Sequence, residues 1–222
     1  MNEGSDTLQV QQSPFKRVFD VVLSTAVLLP ASVAMLLVAV ITLLRDGRPV
    51  LFSQERAGRR ERPFRLFKFR SMSNAVNAGG ELLPDAARLT MWGRFLRASS
   101  LDELPQLWNV LRGDMSLVGP RPLPVLYLPR YSPRHRRRHL VRPGITGWAQ
   151  INGRNTLTWE QKFDLDIWYV NNQSLILDLK IMCLTALRLL RPHGISPQGL
   201  VTMPEFLGES PDHIGNESRS AE

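Results

Sequence analysis

Two adjacent carboxylates, Asp102 and Glu103, stand in the run SSLDELPQLWNVLRGDMS. The residues around them predict a helix that starts at about Asp102: Ser99, Ser100 or Asp102 can cap it, and Pro105, which has no N–H, is tolerated only in a first turn. An acid pair at the positive end of a helix dipole is favoured in its ionised form, the state a nucleophile or a Mg²⁺ ligand needs. Acids at helix starts are more often plain caps, so the pair gains meaning only from its surroundings. Downstream, residues 115–159 form a stretch of 45 residues without one acid, containing Arg121, Arg130, Arg134, Arg136, Arg137, Arg138, Arg142 and Arg154. The planar arginine fork matches phosphate oxygens better than a lysine point charge, although such a run is more commonly a solvated face or a surface drawn to anionic lipid. His135 and His139 are spaced as neighbours on a helix, but arginines surround them and no third ligand lies nearby, which argues against zinc. No phosphate loop, dinucleotide fingerprint, HExxH or CxxC occurs.

The elements that must position these groups read as an α+β, mainly helical domain. PVLFSQ (49–54) and FRLFKFRSM (64–72) are the strand candidates and predict a small β-hairpin. Helices are predicted over 89–98, 102–112, 124–131, 133–140, 158–172 and 174–190, with turns at VGPRP (118–122) and RPGITG (142–147). The last helix has only Asp178, Lys180 and Arg188 as charged positions, so it is core or half-sunk in a membrane interface. Cys183 lies within it, cannot form an internal disulfide, and reads as a small buried hydrophobe. Residues 1–13 read as a flexible N-terminus, 14–45 as a membrane segment, 46–207 as one compact domain and 208–222 as a disordered tail.

Composition sets the partners. The 222 residues carry 28 Lys plus Arg against 20 Asp plus Glu, a net charge of +8, which favours an anionic partner. A mean hydropathy of −0.14 resembles that of a soluble globule. That average hides the 24 uncharged residues from Val21 to Leu44. As one helix they would reach ~36 Å, enough to cross a bilayer. Pro30 divides them, since its ring clashes with the Ala26 carbonyl, leaving pieces of ~14 and ~21 Å that are each too short to cross. A spanning helix and a re-entrant hairpin, with Ser24, Thr25 and Ser32 satisfying freed backbone groups, both remain open on residue pattern. Lys16 and Arg17 on one side and Arg45, Arg48, Arg56, Arg59 and Arg60 on the other place the C-terminal part in the cytoplasm under either topology.

KRVFD (16–20), the proline-interrupted apolar segment, PVLFSQERAG (49–58), FKFRSM (67–72), SLDELPQLWNVLRGDMSLVGPRP (100–122) and VRPGITGWAQINGRN (141–155) together resemble the bacterial sugar transferases of the monotopic phosphoglycosyl transferase superfamily. The short length and the closing GISPQGLVTMPEF (194–206) are similar to its minimal, PglC-like form, from whose pattern Pro105 departs. The resemblance implies transfer of a sugar-1-phosphate from a UDP-sugar to undecaprenyl phosphate with release of UMP, the first membrane step of glycan assembly. The sugar of the minimal form is N-acetylated, an amino or diamino-trideoxy sugar. The resemblance further implies that Asp102 is the nucleophile of a covalent phosphosugar-aspartyl intermediate. Glu103 completes the dyad, and Mg²⁺ is held by Asp102 and Glu103. Lys68, Arg97, Arg121 and Arg154 bind substrate. It implies a re-entrant membrane helix broken at Pro30, interfacial amphipathic helices, membrane lipids as partners, and a catalytic domain on the cytoplasmic face of the bacterial inner membrane, where downstream glycosyltransferases can take up the product. No nucleic-acid partner is expected, since neither aromatic platforms nor a reading helix is evident. The competing reading is a non-enzymatic, membrane-anchored, polyanion-binding protein whose acids are only caps.

Overall fold

The longest apolar run becomes the longest helix, α1 (Pro14–Asp46), capped by Ser13, whose side chain accepts from the Phe15 N–H. The computed structural model describes residues 13–153, 157–190 and 205–208. The proposed flexible N-terminus and tail therefore lie outside the described residues, apart from Ser13 and Gly208. The helix runs unbroken through Pro30, where the sequence predicts two pieces. A proline removes one hydrogen bond and bends a helix without necessarily ending it, because the turns on either side stay bonded. The hydroxyls of Thr25 and Ser32 donate to the carbonyls of Val21 and Leu29, and not to that of Ala26. Full burial is concentrated in two stretches: Lys16, Asp20 and Ser24 near one end and Val38 and Thr42 near the other, with Leu28 and Met35 partly buried beside them. Between them Val27, Leu29, Val33, Leu36 and Leu37 are exposed.

A β-hairpin follows. β1 (Leu51–Ala57) pairs antiparallel with β2 (Pro63–Phe69), from Leu51 opposite Phe69 to Ala57 opposite Pro63. β1 continues past Gln54, and β2 stops at Phe69, short of the predicted end at Met72. After a short α2 (Asp85–Arg88) comes α3 (Met91–Ser99), capped by Thr90, and then α4 (Gln106–Arg112). The helix expected over 102–112 is thus divided. Leu101–Glu103 form a separate 3₁₀ turn after Ser100, whose left-handed φ of 58° ends α3. Pro105 is the cause: a helix starting at Asp102 would need the N–H of residue 105 for its first α-type bond, and proline has none.

The turns at 118–122 and 142–147 conceal strands. β3 (Ser116–Val118) and β4 (Gly144–Thr146) pair in parallel, each too short to show a period of two. Glycine permits the pairing, since a Cβ on Gly144 would overlap the Gly119 backbone, and one on Gly147 would strike the Gly119 carbonyl. Segment 124–131 is a 3₁₀ turn (Val125–Arg130), and 133–140 divides into α5 (Pro133–Arg136) and another 3₁₀ turn (Arg137–Leu140). α6 (Trp148–Asn152) is a helix that the sequence does not predict, lying between the predicted turn at 142–147 and the predicted helix at 158–172. α7 (Trp159–Asn171) starts with a full capping box from Thr158 and Gln161, and α8 (Leu175–Leu190) closes the described fold.

The main core packs Val110, Met115, Val118, Val141, Tyr169, Val170 and Ile181. Tyr127, Tyr131, Phe163 and Phe206 form an aromatic cluster, and Val38, Phe69 and Leu96 join α1, β2 and α3. The fold is mainly helical with one small antiparallel hairpin and one N-terminal apolar helix. Cys183 is exposed, contrary to the expectation that it is buried. It shares the outer face of α8 with Ile176, Leu179 and Leu187, because positions three and four apart repeat along one helix side.

Candidate active site

The acid pair owes its position to the backbone change at Ser100. α3 ends there and the chain turns through the 3₁₀ segment, which buries Asp102 to 5 % exposure and leaves Glu103 more open. Arg97 sits on the last turn of α3, where its Nε donates to Ser71 Oγ at 2.9 Å. That contact requires α3 to lie against the Ser71 backbone, which Gly93 allows, since a Cβ there would overlap the Ser71 carbonyl. Lys68 lies on β2, whose free edge is held by Asn109 of α4. The Asn109 side chain accepts from the Phe67 N–H at 3.2 Å and donates to the Arg65 carbonyl at 2.8 Å, imitating a third strand. Lys68 Nζ stands 5.4 Å from the centre of the Phe52 ring. Arg121, just past β3, places Nη2 2.8 Å from Glu103 Oε1.

Electrostatics link these groups. Burial pushes the Asp102 carboxyl up to about 6, with Glu103 adding to the effect and Lys68, Arg97 and Arg121 opposing it. This corrects the expectation that a helix dipole dominates: α4 starts four residues later, and desolvation outweighs it. Burial lowers Lys68 and Arg97, while the charge of Asp102 works to keep both protonated. The neighbouring Glu103 carboxylate raises Arg121. Asp102 is therefore a buried carboxylate within the field of three cations, an arrangement suited to attack on a phosphoryl group whose negative charge the cations offset.

Of the predicted site residues, Lys68, Arg97, Asp102, Glu103 and Arg121 come together electrostatically, and Arg154 lies outside the described residues. The wider arginine run does not converge on the pair. Arg130 bonds Glu205 at 2.7 Å, Arg134 bonds Asp164 at 2.8 Å, Arg136 reaches Glu61 at 3.5 Å and Arg138 bonds Asp166 at 2.7 Å. Their acids come from outside the run, a pairing that linear spacing does not show. His135 and His139 pack against aromatic rings, at 5.1 Å from Phe163 and 5.4 Å from Tyr131, and burial pushes His139 down to about 3. The sequence reading missed Ser71 and Asn109. No spacing could have revealed them, because each acts across elements more than 25 positions apart.

Residues 11–192 match the profile described as "Bacterial sugar transferase". The chain is 52% identical over 193 residues to an uncharacterized sugar transferase, EpsL, of Bacillus subtilis, covering 87% of this chain and 96% of that protein. It is 40% identical over 196 residues to the undecaprenyl-phosphate galactose phosphotransferase of Salmonella typhimurium, covering 81% of this chain and 41% of that protein. It is also 41% identical over 183 residues to the UDP-glucose:undecaprenyl-phosphate glucose-1-phosphate transferase of Escherichia coli, covering 78% and 39% respectively. The chain thus spans about two fifths of the length of these two longer relatives.

Proposed function

Because the chain belongs to the bacterial sugar transferase family, a family of glycosyl-1-phosphate transferases, we propose that it moves a sugar-1-phosphate from a UDP-sugar to undecaprenyl phosphate at the inner face of the bacterial cytoplasmic membrane. The observation that carries this reading is the Asp102 carboxyl, buried yet set among Lys68, Arg97 and Arg121.

In the first step an Asp102 oxygen attacks the β-phosphorus of the donor. The bond from that phosphorus to the bridging oxygen breaks, UMP leaves with the electron pair, and the sugar phosphate remains on Asp102 as an acyl phosphate. In the second step an oxygen of undecaprenyl phosphate attacks the same phosphorus, the Asp102–phosphorus bond breaks, and the lipid diphosphate sugar forms. Dividing the transfer in this way replaces one difficult encounter with two easier ones. With the carboxyl near 6, most of Asp102 is ionised at neutral pH, while its basicity exceeds that of an ordinary aspartate. Lys68 and Arg97 offset the incoming negative charge, Arg121 steadies Glu103, and Arg154 is assigned to substrate by resemblance alone.

Mg²⁺ fits this donor set. Two adjacent carboxylates are few for a metal site of protein ligands alone, and no cluster of three or more His, Cys, Asp or Glu occurs among the described residues. Mg²⁺, however, is commonly held by one or two carboxylates together with substrate phosphates. Asp102 and Glu103 would hold it. When bound it would neutralise diphosphate charge.

The membrane helix is read as re-entrant. α1 is long and apolar enough to cross a bilayer, but both of its ends are tied to the same domain. At one end Lys16 bonds Asp178 at 2.6 Å and Arg17 caps the Val110 and Leu111 carbonyls at 2.6 and 2.8 Å. At the other Trp92 donates to Thr42 at 2.9 Å, and Arg70 holds the carbonyls of Asp46, Gly47 and Arg48. Ends fixed on one domain favour a single side of the bilayer, with the bare middle around Pro30 in lipid. The exposed apolar faces of α3 (Met91, Phe95) and α8 are read as interfacial. Downstream glycosyltransferases would then meet the product at that surface.

The sugar is read as N-acetylated, from resemblance to the minimal form, although the longer relatives are named for galactose and glucose. Purified protein with Mg²⁺ and a panel of UDP-sugars tests both points. UMP release and a phosphosugar adduct on Asp102 without lipid acceptor are expected, and both should vanish in Asp102→Asn. An adduct that persists in that variant overturns the nucleophile, and equal turnover of UDP-glucose or UDP-galactose overturns the sugar class. The polyanion-binding alternative predicts no UMP at all.

A further inference from the structure

Arg121 reaches the acid pair on a long, half-exposed side chain, and nothing in that side chain alone fixes where it starts. Its backbone is held from behind. Arg138, 3% exposed, donates through Nη2 to the Arg121 carbonyl at 2.7 Å. The same guanidinium is fixed by Asp166, whose Oδ2 accepts from Nε at 3.1 Å and Nη2 at 2.7 Å, and by Tyr131, whose hydroxyl lies 3.3 Å from Nη1. Its plane stands 5.4 Å from the Phe163 ring centre and 5.8 Å from that of Tyr131. With three partners and two rings, this fork has little freedom left. The segment it holds is also stiff, because Pro120 and Pro122 flank Arg121 and restrict both it and Gly119. Beyond it, Ala57 N–H donates to the Leu123 carbonyl at 3.0 Å, tying the segment to β1.

We infer that Arg138, locked by Asp166, is a positioning residue for Arg121, setting the origin of the side chain that holds Glu103. The inference rests on the proposed role of Arg121 in the transfer. A lysine at 138 could keep one bond to Asp166 but cannot also span to the Arg121 carbonyl with the same plane, so charge is retained while placement is lost.

A double-mutant cycle on the full-length protein, read by UMP release, tests it. Arg138→Lys is expected to lower kcat/KM between ten- and hundredfold, the order that misplacement of about an ångström produces. In an Arg121→Ala background the same change should cost less than twofold, because the residue it positions is gone. Asp166→Asn, which keeps the shape of the carboxyl, should show a smaller loss with the same dependence on background. Equal losses in both backgrounds, or none in either, overturn the inference and mark Arg138 as merely structural. Hydrogen exchange gives a second readout that does not depend on turnover: Arg138→Lys should raise exchange in segment 116–128 at least tenfold and leave 159–171 unchanged. Unchanged exchange in 116–128 overturns the positioning role. Wild-type protein that releases no UMP, or full activity in Arg121→Ala, counts against the proposed reaction or the role of Arg121, and the exchange then decides the positioning by itself.

Discussion

Burial and a neighbouring carboxylate both push Asp102 toward its neutral form, and that push has two consequences of opposite sign. The proposed attack by Asp102 needs the ionised form, so UMP release should rise with pH through about 6 and level off above it; a profile flat from pH 5 to 8 would place the critical ionisation elsewhere. Stability runs the other way. A carboxyl raised from 3.8 to about 6 in the fold binds its proton more tightly folded than unfolded, so its contribution is present at low pH and lost as pH rises through 6. At pH 7.5 the ionised group therefore costs up to roughly 3 kcal/mol. Asp102→Asn should melt several degrees above wild type at pH 7.5, with the gap narrowing below pH 6 and closing near pH 4. A variant less stable than wild type at pH 7.5 would contradict this. At this scale the acid pair was legible because its members are adjacent in the chain. Lys68 and Arg97 were not legible from pattern: each is an ordinary basic residue until β2 and α3 bring it near Asp102, and only the resemblance named them.

Among the elements, α1 depends on a buried polar anchor. Lys16 Nζ lies 2.6 Å from Asp178 and 3.8 Å from Asp20, Asp178 also accepts from the Tyr169 hydroxyl at 2.6 Å, and Asp20 accepts from the Leu117 N–H at 3.3 Å. Removing one partner of a buried pair leaves a charge without compensation, so Lys16→Met should destabilise the protein by roughly 3–5 kcal/mol in thermal unfolding. A loss below about 1 kcal/mol would mean that apolar packing alone holds the helix. Helix existence was legible where a cap and a period coincide, as in α7 with its Thr158 capping box. It was not legible where a single backbone atom decides: the missing N–H of Pro105 divides the helix at the acid pair, and the parallel pairing of β3 with β4 rests on glycines that looked like turn residues.

For the whole molecule, the proposed re-entrant topology puts both ends of α1 on one side of the bilayer. With Cys183, an exposed thiol, replaced by serine, single cysteines at Thr7 and Arg48 should both be protected from a membrane-impermeant thiol reagent in intact cells. Labelling at position 7 alone would mean a spanning helix. The sequence by itself determined the mainly helical class with its hairpin, the apolar segment, the acid pair and the family, because each is written in residues close together in the chain. Only the tertiary structure decided that most arginines of the acid-free run are bound to acids of the protein itself, that α1 passes Pro30 unbroken with both ends on one domain, and that Asp102 is governed by desolvation. Burial, and the pairing of charges across distant elements, depend on distances in space, and the order of residues along a chain does not contain them.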